Sequence, residues 1–270
     1  MIKKLVLLAV VALFVLTASF FIALNHQVEQ PLNIKSAELI EIEAGTSVSS
    51  FSKTLVEKSW LKSRFWLRNY VRIHRELAGL KAGAYLIEPG MTALGLLEKI
   101  VKGEEHQFSV TFIEGTSFKD WLTLLAEQKY IVHTLAEKNI EQIATAIGVQ
   151  ALNPEGWLYP DTYAFTANVT DLSILQRANQ KMKKELKQYW PKRADNLPYD
   201  SPYQALIMAS IIEKESGKLD EQALIASVFI NRLNKKMRLQ TDPTVIYGLG
   251  KISEIFKIFS PPSLSSISSS

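Results

Sequence analysis

Two glutamates separated by a single lysine, Glu213-Lys214-Glu215, lie at the end of the segment Ala205–Ser216 (ALIMASIIEKES). They are the side chains of this chain best suited to exchange protons with a substrate. Carboxyl groups do general acid–base work when their surroundings hold one of them protonated at neutral pH. On a helix, Glu215 shares a face with Met208, Ile211 and Ile212, at i−7, i−4 and i−3. Glu213 shares its face with Leu206, Ala209 and Ser210, a smaller and partly polar set. Glu215 is therefore expected in an apolar wall, where desolvation favours the neutral acid. The plainer alternative is a pair of solvated glutamates at a fraying helix end. Both acids fall near a helix C-terminus, where the macrodipole disfavours negative charge. Such local conflicts concentrate at functional sites.

Other reactive constellations fail. His26, His74, His106 and His133 are scattered without an H-x-x-x-H pair, so no metal site is expected. Ser50–Lys53 and Ser59–Lys62 fit S-x-x-K, but the accompanying S-D-N and K-T-G motifs are missing. Gly248-Leu249-Gly250 is too short for a phosphate loop, and the absence of cysteine excludes a thiol nucleophile, disulfides and thiolate-bound metals. No cofactor is expected. The formal charge is +4, to which Lys3 and Lys4 contribute ahead of an apolar run. The richest basic run, Lys181–Lys187, reads as a solvated helix face, and no nucleic-acid partner is expected. With 47% hydrophobic and 21% charged residues, the chain can bury a core.

The elements that must position the acids are legible in outline. Ser201-Pro202-Tyr203-Gln204 starts their helix, with a serine cap and proline in the first turn, and Gly217 ends it. Upstream, a helix is expected over Asp171–Tyr189, followed by a break over Pro191–Pro198. The aromatic segment Asn153–Phe165 (NPEGWLYPDTYAF) reads as an ordered loop. Three times an alternating strand meets a glycine turn, a capping hydroxyl and a helix: Leu39–Glu43 before Gly45-Thr46-Ser47, Ala84–Glu88 before Gly90-Met91-Thr92, and Phe108–Glu114 before Gly115-Thr116-Ser117. The fold class expected is α+β. Asn25–Ala37 is polar and aperiodic and reads as a linker.

Leu5–Leu24 carries no charge and, at 1.5 Å per residue, spans about 30 Å, the thickness of a bilayer's hydrocarbon core. Lysines precede it and none follows until Lys35. The positive-inside rule thus leaves residues 1–4 in the cytoplasm and the body outside. A retained single-pass anchor is preferred, and a signal peptide cleaved near Thr17–Ser19 is the competing reading.

MASIIEKES (Met208–Ser216), ASVFINRL (Ala226–Leu233) and MRLQTDPTVIYG (Met237–Gly248) closely resemble the endolytic murein transglycosylases, the YceG-like proteins. GWLYPDTYAF (Gly156–Phe165), LKAGAYLI (Leu80–Ile87) and FIEGTSF (Phe112–Phe118) are similar to that family as well. The resemblance implies an inner-membrane anchor at residues 5–24 and a linker at 25–37. It also implies a small LysM-like α+β module at 38–112 and a mixed α+β catalytic domain at 113–250. Such enzymes cut the MurNAc–GlcNAc bonds of nascent peptidoglycan strands and leave 1,6-anhydroMurNAc ends, in the company of peptidoglycan synthases. The family's catalytic acid falls on Glu215. Glu213, Asn231, Gln240, Thr241, Asp242 and Tyr247 are candidates for holding the sugar, though each could be a cap or a turn; Asp242-Pro243 is an ordinary turn signal.

One acid suffices for that reaction. Most glycosidases use two carboxylates, but here the sugar's own C6 hydroxyl attacks the oxocarbenium-like centre. Glu215 would protonate the glycosidic oxygen and then accept the hydroxyl proton. Beyond Gly250 the motifs stop, and 251–270 reads as a divergent serine-rich tail. The expectation is a catalytic domain lacking its C-terminal part. A non-catalytic, membrane-anchored peptidoglycan-binding or synthase-associated protein is the alternative function.

Overall fold

Capped strand-to-helix turns recur through the computed structural model, which describes residues 2–244. The chain is mixed α+β and divides into two units. The first comprises the residues up to Phe108 together with 166–168, and the second comprises the rest.

The first unit runs α1 (Ile2–Val28), β1 (Glu38–Ile42), α2 (Val48–Glu57), α3 (Arg64–Ile73), β2 (Gly83–Ile87) and α4 (Ala93–Lys102). α1 has 27 residues, about 40 Å at the helical rise, and is long and apolar enough to cross a membrane. Its side chains lie open along most of its length, Phe14 at 73% exposure, whereas Leu24 and Val28 near its end are buried. β1 pairs antiparallel with β2, Glu38 opposite Ile87 and Ile42 opposite Gly83. Ser47 Oγ accepts from Ser50 N at the start of α2, and Thr92 Oγ1 accepts from Gly95 N at the start of α4. Phe51, Leu55, Leu67, Tyr85, Leu96, Leu97 and Ile100 form the core. The segment read as a linker contributes to it: Leu32 and Ile34 are buried, and the amides of Leu32 and Asn33 donate to the carbonyls of Met91 and Trp60.

β3 (Phe108–Thr111) starts on the last residue of the first unit and continues into the second, which contains α5 (Phe118–Ala126), β4 (Ile131–Val132), α6 (Ile140–Ile147), β5 (Thr162–Phe165), β6 (Val169–Thr170), α7 (Asp171–Tyr189), α8 (Pro202–Glu215) and α9 (Leu219–Asn234). β3 pairs with β5, and β4 runs parallel to β6. α5 and α6 both begin with reciprocal capping boxes, Ser117 with Asp120 and Asn139 with Gln142. At the turn before α5, Gly115 takes φ +71°, a conformation that favours glycine. Asp171 is buried where α7 starts, and its carboxylate collects Thr134 N, Thr134 Oγ1, Leu135 N and Leu172 N.

The segment Asn153–Phe165, expected as a loop throughout, ends in strand β5, and its loop part packs on α7 and α8. Trp157 stacks on Tyr203 with ring centroids 4.2 Å apart. Asn179 Nδ2 donates to Trp157 O, Tyr159 N donates to Ala178 O, and Lys181 pairs with Asp161. α8 and α9 pack through Met208, Ile211 and Phe229, flanked by half-buried Ile212, Ile225, Leu233 and Leu239.

Candidate active site

α8 begins as its sequence dictates. Ser201 Oγ accepts from Gln204 N, Pro202 occupies the first turn, and Gln204 Oε1 reaches back to Asp200 N at 2.6 Å. Glu215 is its last helical residue, and Ser216 turns extended with φ −150° and ψ 126°. Glu215 does not stand in the apolar wall that helical spacing predicts. Met208 and Ile211 are buried against α9, but the Glu215 side chain overhangs the helix end and is exposed. The apolar stripe points into the packing between helices and leaves the acid at its rim.

A second segment comes to that rim. Thr241, 3% exposed, donates its hydroxyl to Glu215 Oε1. Arg232 on α9 holds the loop that delivers it: its Nη1 donates to Leu239 O at 2.5 Å and to Gln240 Oε1 at 3.3 Å. Gln240 sits at φ +54°, so the chain reverses sharply just before Thr241. The two motif segments that carry the sequence resemblance thus meet at a carboxylate–hydroxyl pair.

The remaining candidates are placed differently. Glu213 is exposed and accepts from Gln222 Nε2 at 2.9 Å, linking α8 to α9. Asn231 and Asp242 are exposed. Asn231 contributes its backbone carbonyl to the end of α9, taking Lys235 N at 3.1 Å. Tyr247 lies outside the described residues.

Beside this rim is a cleft of about 500 Å³. Phe118, Trp121, Leu158, Met182, Leu206 and Ile207 give it apolar walls, and Thr116, Glu155, Ser210 and Lys214 place polar groups on them. Lys214 and the turn residues Pro243 and Thr244 line it, next in sequence to Glu215 and the Thr241 segment. Lys214 Nζ donates to Gly115 O at 3.3 Å, and burial lowers its pKa below the usual lysine value, with Glu213 opposing. Glu155 Oε2 accepts from Phe118 N at 2.8 Å. Burial pushes the Glu155 carboxyl up; the Phe118 amide pulls it down, and the Asp120 charge adds to the rise. Deeper in the unit, burial pushes the Tyr163 phenol up to about 12, against the lowering pull of Arg177.

Sequence reasoning missed Glu155, Lys214 and Arg232 as site residues. Lys214 stood between the two acids, and Glu155 opens the aromatic segment with Asn153 Oδ1 accepting its amide. Both were visible as residue types, but their convergence on the Gly115–Phe118 turn spans long stretches of chain.

A family model described as the YceG-like family matches residues 40–260. The chain belongs to the YceG-like family. The match continues past Gly250, where the short motifs stopped. It is 30% identical over 236 residues to the endolytic murein transglycosylase of Bacillus subtilis (strain 168), covering 80% of this chain and 64% of that protein. To the endolytic murein transglycosylase of Streptococcus pneumoniae serotype 2 it is 27% identical, covering 94% of this chain and 51% of that protein. The chain thus spans between half and two thirds of the length of these YceG-like relatives. A crystal structure of a YceG-like protein from Listeria monocytogenes is 27% identical, covers 80% of this chain and 77% of that one, and has a TM-score of 0.41.

Proposed function

We propose that this chain is an endolytic peptidoglycan lytic transglycosylase that cleaves MurNAc–GlcNAc bonds within nascent glycan strands. One observation carries the reading: Thr241 of the R-L-Q-T-D segment meets Glu215 of the E-K-E segment at the edge of a cleft. The names of the curated relatives support it. In this mechanism Glu215 donates its proton to the glycosidic oxygen as the C1–O bond breaks. The muramic C6 hydroxyl then bonds to C1 and returns a proton to the carboxylate, giving a 1,6-anhydro end. Thr241 fixes the direction of the carboxyl and Arg232 fixes Thr241. The Phe118 and Trp121 rings would bear on sugar faces, with Glu155, Ser210 and Lys214 meeting hydroxyl and acetamido groups.

The proposal extends to the remainder of the chain. α1 would anchor it in the inner membrane with residues 1–4 cytoplasmic. The first unit would be a LysM-like module on the outer face, and peptidoglycan synthases would supply the strand. The test is mass spectrometry of purified glycan strands incubated with the full chain and with Glu215→Gln. Anhydromuramic ends are expected from the first alone, and equal yields from both would remove Glu215 from the mechanism. The exposure of Glu215 favours one second reading, a non-catalytic, membrane-anchored peptidoglycan-binding protein. It predicts that both chains cosediment with the strands and that neither cuts them.

A further inference from the structure

The stretch from Lys58 to Arg75 contains Lys58, Lys62, Arg64, Arg68, Arg72 and Arg75 and no aspartate or glutamate. Trp60, Phe65, Trp66 and Tyr70 are interleaved with these cations. α3 forms its centre. Leu67 and Val71 bury one side of α3 in the first unit's core, and Trp66 and Tyr70 pack at the margin. The other side is neither core nor ordinary polar surface. Phe65 and Ile73 stand 51% and 48% exposed, beside exposed Arg64 and Arg72.

What lies next to that side is α1. The two helices pack together, and Phe20 approaches Trp66 with ring centroids 6.1 Å apart. Phe21 lies against Phe20 and Phe65 against Trp66, at 6.1 and 5.1 Å, so four rings run from the membrane-length helix onto α3. Their depth follows from the helical rise. Phe20 is about 22 Å along the axis from Leu5, within two turns of the far edge of a hydrocarbon layer about 30 Å thick. Leu24, one turn later, is already covered by protein. Trp66 and Phe65 therefore fall where a bilayer passes from acyl chain to headgroup, the level that aromatic side chains prefer.

Resting on the reading of α1 as a membrane span, we propose that α3 is an interfacial helix. Its Phe65, Trp66 and Ile73 edge beds at the headgroup boundary beside α1, while Arg64, Arg68 and Arg72 bind the phosphates of anionic phospholipids. Guanidinium groups take phosphate oxygens in pairs, and each basic residue at an anionic surface strengthens attachment about fivefold. Cations with interleaved aromatics also suit a nucleic acid. The contact with α1 decides for lipid, because a soluble polyanion gives no reason to set these rings against a helix of membrane length.

The absence of cysteine makes the test direct. The full chain carrying Phe65→Cys or Ile73→Cys is labelled with an environment-sensitive fluorophore. It is then reconstituted in phosphatidylcholine vesicles with and without phosphatidylglycerol. Quenching by headgroup-level nitroxide lipids and shielding from iodide are expected, stronger when phosphatidylglycerol is present. Arg64→Gln, Arg68→Gln and Arg72→Gln together should weaken the lipid quenching at least about fivefold with an unchanged melting curve. Labels equally open to iodide in vesicles and in detergent would overturn the proposal, as would a response to an added oligonucleotide instead of lipid. Loss of the chain from vesicles in alkaline carbonate would overturn the anchor itself, and the α3 proposal with it; retention with solvent-exposed labels would overturn the role of α3 alone.

Discussion

The first unit and the α8–α9 pair are both built around packed helices, yet they are held together very differently. Around Tyr85, α2, α3, α4 and the β1–β2 pair bury a continuous set of large side chains, Phe51, Leu55, Leu96, Leu97 and Ile100 among them at 1% exposure or less. The core joining α8 to α9 has Met208, Ile211 and Phe229 as its buried residues, while Leu219 and Leu224 on α9 stand 83% and 70% exposed. Hydrophobic stabilisation scales with the apolar area removed from water, so the two regions differ in the cost of opening them. The first unit has the larger core. The helices that carry the candidate site rest on a small contact and on polar ties, Arg232 to the 239–240 carbonyl and amide and Thr241 to Glu215.

That contrast can be broken at four points, the strongest first. On the proposed mechanism, Glu215→Gln should reduce strand cleavage by at least about 100-fold while the melting curve stays in place, since the side chain is exposed and contributes little packing; product yield and calorimetry on one sample read both. Leu96→Ala should cost about 2–5 kcal/mol of global stability. Phe229→Ala should move the main transition less and speed amide exchange within α8–α9; equal shifts from the two variants would refute the contrast. Thr241→Val should lower turnover about tenfold, the equivalent of one hydrogen bond to a charged group, with binding of glycan strands retained. The smallest effect is the pH response of Glu155. Its carboxyl titrates above the ordinary 4.5 because it is half-buried. The stability it lends is therefore complete below the unfolded value and is lost as pH rises through the raised folded one. Glu155→Gln should flatten that decline, and a melting temperature that falls equally with pH in both proteins would show the carboxyl to be inert.

Local chemistry made much of the fold readable. The caps Ser47, Thr92, Ser117 and Ser201 each accept the amide their spacing calls for, and α7 spans the expected Asp171–Tyr189. The segment 29–37 was opaque, because its amides bond to carbonyls on Met91 and Trp60, which no local period announces. The stripe that Glu215 shares was readable, but the surroundings of the acid were not. Helical spacing tells which side chains share a stripe, whereas the partner that covers the stripe, here α9, decides where it ends. Glu155 escaped notice for a related reason: its burial and its hydrogen bond to Phe118 N, thirty-seven positions away, are set by the tertiary fold.

Leu24, Val28, Leu32 and Ile34 are buried one after another, so α1 enters the first unit without slack. With α1 seated in a bilayer, that unit rides at a constant height and tilt, a post set in the floor rather than a float on a line. A few glycines inserted after Val28 would loosen that seating.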